Sequence, residues 1–277
     1  MTLYIYAQSG HNQNLDRVRR ASVVTNILKE FEPILCTCDY RASMYARAEL
    51  GVRDATSVDT IANMPNTMER GDVLVYDSDE PTPLMKESIK DFCSLSYEIG
   101  LDIPKDIIND EFFQQHQTPM YEKAIFFGDD DYSKLILQMT KEKIDLPLLM
   151  GHYFFLGYEK ELAPIFDTLI EEEEYTQTIQ RTTYLLTSSI NACIESLASG
   201  NNPVFFERED TNYDDAIELI SKYNIPTIKA NTLEEIISQF DQIIKNYPQT
   251  TKPQKVDISS IKEAIKARFD LMKSLEV

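Results

Sequence analysis

The stretch Leu185-Leu-Thr-Ser-Ser-Ile-Asn-Ala-Cys-Ile-Glu-Ser-Leu-Ala-Ser-Gly-Asn-Asn-Pro-Val204 decides how the chain is read. An apolar run ends at Thr187, two small hydroxyl residues follow, and helical spacing then covers Asn191–Ser199. Gly200 stands where a helix stops, and Pro203 beyond it cannot continue one. Pro203-Val-Phe-Phe206 resumes as a strand. Strand, small turn, helix and strand in succession specify a parallel sheet with right-handed crossovers.

The same rhythm extends toward the N-terminus. Leu3–Ala7, Pro33–Thr37 and Gly71–Tyr76 read as strands, and Leu15–Phe31, Arg41–Leu50 and Pro83–Phe92 as helices. Between Asp102 and Tyr121 the alternation breaks at Pro104, Pro119 and the polar cluster Gln114-Gln115-His116-Gln117, which marks an inter-domain connection. A second set begins with a strand at Lys123–Phe127. A helix over Tyr132–Lys143, a strand at Leu146–Met150 and a helix over Glu159–Ile170 follow, then the acidic run Glu171–Glu174 and a brief strand near Tyr175. Beyond Phe206, helices over Tyr213–Tyr223 and Leu233–Tyr247 flank a short strand at Pro226–Ile228. Past a Thr/Pro/Lys-rich link, Ser260-x-x-Glu263 reads as a capping box heading an amphipathic helix with Ile261, Ile265, Phe269 and Met272 on one face.

Bulk properties bound the function. The 277 residues suffice for two domains, and 43% hydrophobic content supports a core in each. Lys and Arg total 27 against 46 for Asp and Glu, a formal charge of −19, which argues against nucleic acid and anionic lipid surfaces as partners. No stretch approaches the ~20 apolar residues of a membrane span. The N-terminus enters a strand pattern with no basic leader, unlike a signal peptide. Cys36, Cys38, Cys93 and Cys193 match no zinc spacing and read as reduced thiols, so a cytoplasmic setting is expected.

Candidate chemistry collects at strand ends. Ser188 and Ser189 open a helix, where backbone N–H groups receive phosphate oxygens, and Glu195 is of the type that takes ribose hydroxyls. The plainer alternative is a helix cap with a solvated Glu195. His11 follows a strand end and Gly10, and imidazole is suited to deprotonating a water or hydroxyl near neutral pH, unless it merely caps a loop. His152 follows Gly151 at another strand end among aromatic neighbours, and His116 belongs to the polar connection. Asp77, Asp79 and Asp129–Asp131 are clustered carboxylates of the kind that suit Mg²⁺, whereas Glu171–Glu174 reads as a solvated charge run.

The segment Ser188 to Pro203 resembles the nucleotide-binding signature of the GT-B superfamily. Within it the chain is most similar to the UDP-sugar hydrolases of pseudaminic acid biosynthesis, a pathway of flagellin glycosylation. Gly10-His11 is similar to that family's Gly-x-Gly-His loop, Asp72-Val-Leu-Val-Tyr-Asp77 to its strand ending in Asp, and Lys123-Ala-Ile-Phe-Phe-Gly-Asp-Asp-Asp131 to the opening of its second domain. The resemblance implies an α/β chain of two Rossmann-like domains facing across a cleft. The N-terminal domain, 1–118, takes the sugar side with Gly10 and Asp77. The C-terminal domain, 119–248, takes the nucleotide with Gly128, Ser188, Ser189 and Glu195. Residues 249–277 supply a linker and a helix returning to the first domain. It further implies hydrolysis of a UDP-sugar with His11 as base, and neither cofactor nor metal.

Three departures stand out. Gln8 replaces the first glycine of the loop, Asn14 an arginine, and Asp129 the second glycine of a Gly-Gly pair. A carboxylate a few ångströms from a pyrophosphate costs on the order of 1–4 kcal/mol. Hydrolysis, glycosyl transfer on the same scaffold, and a non-enzymatic protein with a degenerate pocket are the three functions left open.

Overall fold

The computed structural model describes residues 1–10, 14–114, 118–211 and 213–275. Among them the chain forms two units, one of residues 1–10, 17–107 and 255–275, the other of residues 14–16 and 108–254. Ile108 and Phe112 pack into the second unit's core, which draws the start of that unit toward residue 108.

In the first unit β1 (Leu3–Ala7), β2 (Ile34–Thr37), β3 (Asp54–Ser57), β4 (Val73–Asp77) and β5 (Leu95–Glu98) form a parallel sheet of order β3-β2-β1-β4-β5. Helices α1 (Asp16–Ile27), α2 (Tyr40–Glu49) and α3 (Pro83–Phe92) supply crossovers. The second unit contains β6 (Tyr121–Phe126), β7 (Leu148–Leu149), β8 (Leu169–Ile170), β9 (Thr182–Thr187), β10 (Asn202–Phe206) and β11 (Thr227–Ile228), all parallel, in the order β11-β10-β9-β6-β7-β8. Its helices are α4 (Leu135–Met139), α5 (Glu159–Leu162), α6 (Tyr175–Gln180), α7 (Ile190–Ala198), α8 (Asp214–Tyr223) and α9 (Leu233–Lys245). The chain is thus α/β with two Rossmann-like units. The last helix, α10 (Ser259–Leu275), belongs to the first unit, where Phe269 meets Phe31 with ring centroids 5.3 Å apart and Lys262 pairs with Glu30 at 2.9 Å.

Period-two alternation explains the second sheet. Phe126, Leu149, Leu185 and Phe205 pack on one face with Cys193, Ile194 and Ile179, while Ile125, Leu148, Leu186 and Val204 pack on the other with Ile236 and Phe240. Both sheets also reverse direction once. β1 lies between β2 and β4, and β6 lies between β7 and β9. Crossovers leave such a strand pair on opposite faces, so their carboxyl ends open a crevice where α/β proteins hold ligands.

Several expected elements differ. The helix expected over Tyr132–Lys143 shrinks to α4. Asp131 caps its start through Leu135 N at 2.7 Å, and at its end the N–H groups of Lys141 and Glu142 donate to Glu234 instead of continuing the helix. The helix over Glu159–Ile170 stops at Leu162, close to Pro164, and Leu169–Ile170 pairs with β7 as a strand. Tyr175 opens the helix α6, not a strand. Ser260 lies inside α10, so it is not the cap; Asp257 Oδ1 accepts from Ser259 N at 2.9 Å instead. No helix among the described residues is long and apolar enough to cross a membrane.

Ile265 is fully buried under the first unit although it arrives from the far end of the chain. Ile265→Ala should therefore destabilise that unit by about 2–5 kcal/mol. Denaturant unfolding followed by circular dichroism measures it, and a change below ~0.5 kcal/mol would mean that α10 is not part of the core.

Candidate functional site

At the first reversal, the ends of β1 and β4 are tied together by charge. Arg20 grips Asp77 through Nε–Oδ2 at 2.8 Å and Nη2–Oδ1 at 3.2 Å, with both residues buried. Arg17 lies 3.7 Å from the same carboxylate and reaches Asp79 Oδ2 at 3.1 Å. Gln8 Oε1 accepts from Arg17 Nη1, from Ser78 Oγ at 3.2 Å and from Asp79 N at 3.1 Å. Buried ions persist only when paired in this way. Asp77, expected on the sugar side, is thus the anchor of an arginine pair. Gly10 has φ +125°, a backbone that side chains rarely tolerate. His11 lies outside the described residues, as does His116.

At the second reversal, the ends of β6 and β9 bring Gly128 and Ser188 together. Gly128 has φ +114°, and a Cβ there would stand 3.0 Å from Asn14 Oδ1, 3.2 Å from Ser188 Oγ and 3.3 Å from Arg208 Nη1. Ser188 Oγ donates to Phe127 O, closing one strand end onto the other. Ser189 is the N-cap of α7, its Oγ accepting from Ala192 N at 3.0 Å. That same Oγ donates to Asp16 Oδ1 at 2.7 Å, and Asn191 N approaches Asp16 Oδ2 at 3.4 Å. The N-terminus of α7 therefore already holds an anion, the half-buried carboxylate of Asp16.

Asp129 is 1% exposed. Its N–H donates to Asn14 Oδ1 at 3.2 Å, and its Oδ2 accepts from Leu15 N at 3.0 Å. Glu195 is also buried. Oε2 accepts from Tyr175 Oη and Oε1 from Asn191 Nδ2, each at 2.6 Å, so both of its oxygens are engaged within the unit. Asp131 caps α4 and accepts from Tyr158 Oη at 2.6 Å, and burial pushes its carboxyl above the usual range. His152 Nδ1 sits 3.1 Å from Glu172 Oε2. Among the described residues no cluster of three or more His, Cys, Asp or Glu is placed to hold a metal ion.

Two residues escaped the sequence reading. Arg208, at the end of β10, lies with its guanidinium 4.3 Å over the Phe127 ring. It donates to Phe127 O at 3.0 Å and Asp130 O at 2.7 Å and pairs with Asp210 at 2.8 Å, bracing the loop after β6. Its signal was only an arginine just past a strand. Asp16 gave none, because its partner lies 173 residues away.

No family model matches this chain, and no curated protein matches its sequence. Among solved structures it is similar to the E. coli heptosyltransferase WaaC with ADP, at 11% identity and TM-score 0.45, covering 88% of this chain and 98% of that one. The same enzyme with ADP-2-deoxy-2-fluoro heptose gives 10% identity and TM-score 0.47, over 90% of this chain and all of that one. The glycosyltransferase SnogD from Streptomyces nogalater gives 12% identity and TM-score 0.47, over 90% and 96%. The architecture described above stands on strand order and register, independently of these likenesses.

Two outcomes follow from the geometry. Glu195→Ala leaves Tyr175 Oη and Asn191 Nδ2 without their acceptor inside the core, and should cost roughly 2–4 kcal/mol of stability; an unchanged denaturation midpoint would show the carboxylate to be dispensable to the fold. Arg17's hydrogen bond holds the Asp79 carboxyl below its usual range. A depressed folded value contributes stability above the unfolded pKa of about 4 and loses it as pH falls through the folded value. Asp79→Asn should accordingly flatten the fall in Tm between about pH 5 and pH 2; a variant whose acid limb overlays wild type refutes the pairing.

Proposed function

We propose that the chain is a nucleotide-sugar-dependent protein of GT-B type that transfers a glycosyl group from a nucleoside diphosphate to an acceptor hydroxyl. The supporting observation is the anion at the N-terminus of α7. Ser189 Oγ and Asn191 N already bind two negatively charged oxygens there, at the carboxyl end of β9 and beside the strand reversal. Donors arranged for a carboxylate suit a phosphate equally, since both present oxygens sharing negative charge. In this reading a UDP-linked sugar places its diphosphate at α7. The acceptor oxygen attacks the anomeric carbon, the bond to the diphosphate breaks, and UDP leaves carrying the electron pair. His11 takes the acceptor proton. Water in place of the hydroxyl gives the hydrolytic version of the same reaction.

A second reading, a non-enzymatic protein on this scaffold, is favoured by Glu195 and Asp129, whose carboxylates are both occupied inside the unit. UDP release from UDP-N-acetylhexosamines, followed with and without added sugar acceptors, separates the possibilities. Acceptor-dependent release supports transfer, release in water alone supports hydrolysis, and no release with no thermal shift at millimolar UDP supports the non-enzymatic reading.

A further inference from the structure

We infer that Asp16 is a built-in competitor for the donor's phosphate, so that this protein holds its own nucleotide subsite closed. The inference rests on the α7 N-terminus being that subsite. The carboxylate satisfies the Ser189 hydroxyl and stands at the Asn191 N–H, the donors that an incoming phosphate oxygen would need.

The competitor is held in place, not resting there by chance. Residues 14–16 run from the loop after β6 to the start of α7. Asn14 Oδ1 accepts from Asp129 N at 3.2 Å, Leu15 N donates to Asp129 Oδ2 at 3.0 Å, and Asp16 then engages Ser189 at 2.7 Å. Asn14 adopts φ 52°, a left-handed conformation that asparagine tolerates better than most residues. Its Oδ1 also lies where a Cβ on Gly128 would leave little room. Two departures from the resembling family, Asn14 and Asp129, are therefore partners of each other. Glycine in place of Asp129 would keep the N–H bond to Asn14 and lose the acceptor for Leu15. On this account Asp129 is there to seat the strip that carries Asp16.

The consequence is a conformational tax. A diphosphate meets free donors only in the fraction of molecules whose Asp16 has withdrawn, so apparent affinity is the intrinsic affinity multiplied by that fraction. A tethered carboxylate competes at an effective concentration in the millimolar range or above, which a weakly bound ligand does not overcome.

Calorimetric titration of the full-length protein with UDP and with inorganic pyrophosphate provides the test. Asp16→Ala should bind both at least about tenfold more tightly than wild type, and Asp16→Asn, which keeps the shape and loses the charge, should shift in the same direction by less. Asn14→Ala, which loosens the strip without touching α7, should also tighten binding. Adding Ser189→Ala to Asp16→Ala should remove the gain. Melting curves confirm that each variant is folded, with Asp16→Asn serving if Asp16→Ala is not. If wild type binds UDP and the Asp16 variants bind it no more tightly, the competitor is refuted while the donor site stands. If folded Asp16 variants bind neither UDP nor pyrophosphate, the donor subsite itself is refuted, and the competitor with it.

Discussion

The backbone N–H groups that open α7 must find acceptors in a place where water does not reach them freely. Ser188, Ser189 and Asn191 are almost completely buried at the end of a central strand. A helix begins with donors that its own turns cannot satisfy. One is met by the Ser189 hydroxyl at Ala192 N; a second faces the Asp16 carboxylate from Asn191. Satisfying that terminus with a negative charge is favourable by up to ~2 kcal/mol in partly buried geometry. Beside it, Asp129 accepts from Leu15 N, and Arg208 braces the loop that carries Asp129.

The first unit solves a related problem with opposite materials. Its strand ends hold two buried arginines, and the chain supplies Asp77 and Asp79 to neutralise them. A net charge of −19 does not mean that acids merely coat the surface. Asp72, Asp77, Asp106, Asp129, Asp130, Asp131 and Glu195 are all buried. Burial of an acid is tolerable only with hydrogen bonds or a cation at hand. Thr2 N and Glu69 N donate to Asp72, Arg20 to Asp77 and Tyr158 to Asp131.

Much of the fold was legible because central parallel strands are written in apolar runs. Leu3–Ala7, Val73–Asp77 and Asn202–Phe206 stand close to where the pattern put them, and α3 spans the residues expected of it. Of the strands that escaped, β3 and β5 read Asp-Ala-Thr-Ser and Leu-Ser-Tyr-Glu; they sit at the two edges of their sheet and need little apolar content. Helical spacing overstated α4 and α5, where capping by Asp131 and the nearby Pro164 decide the ends. At the site, local chemistry was legible and partnership was not. Ser189 was readable as a helix opener, but nothing in Glu195 alone reveals that Tyr175 and Asn191 claim its oxygens. Long-range pairs such as Asp16 with Ser189 exist only once both chain segments are folded.

Gln8 and Asp129 each place a side-chain acceptor past the end of a strand beside a reversal of strand order. Glycine lets a ligand approach bare backbone and offers nothing in return. Gln8 offers an amide oxygen, and Arg17, Ser78 and the Asp79 N–H all converge on it. Asp129 offers a carboxylate, and the Leu15 N–H takes it. In both units the residue sits just past the first strand of its sheet, at the reversal, and in both the acceptor is met by residues of the same unit. The two acceptors lie at topologically equivalent points, and each is filled. At both strand ends the acceptors are committed to donors of the protein itself.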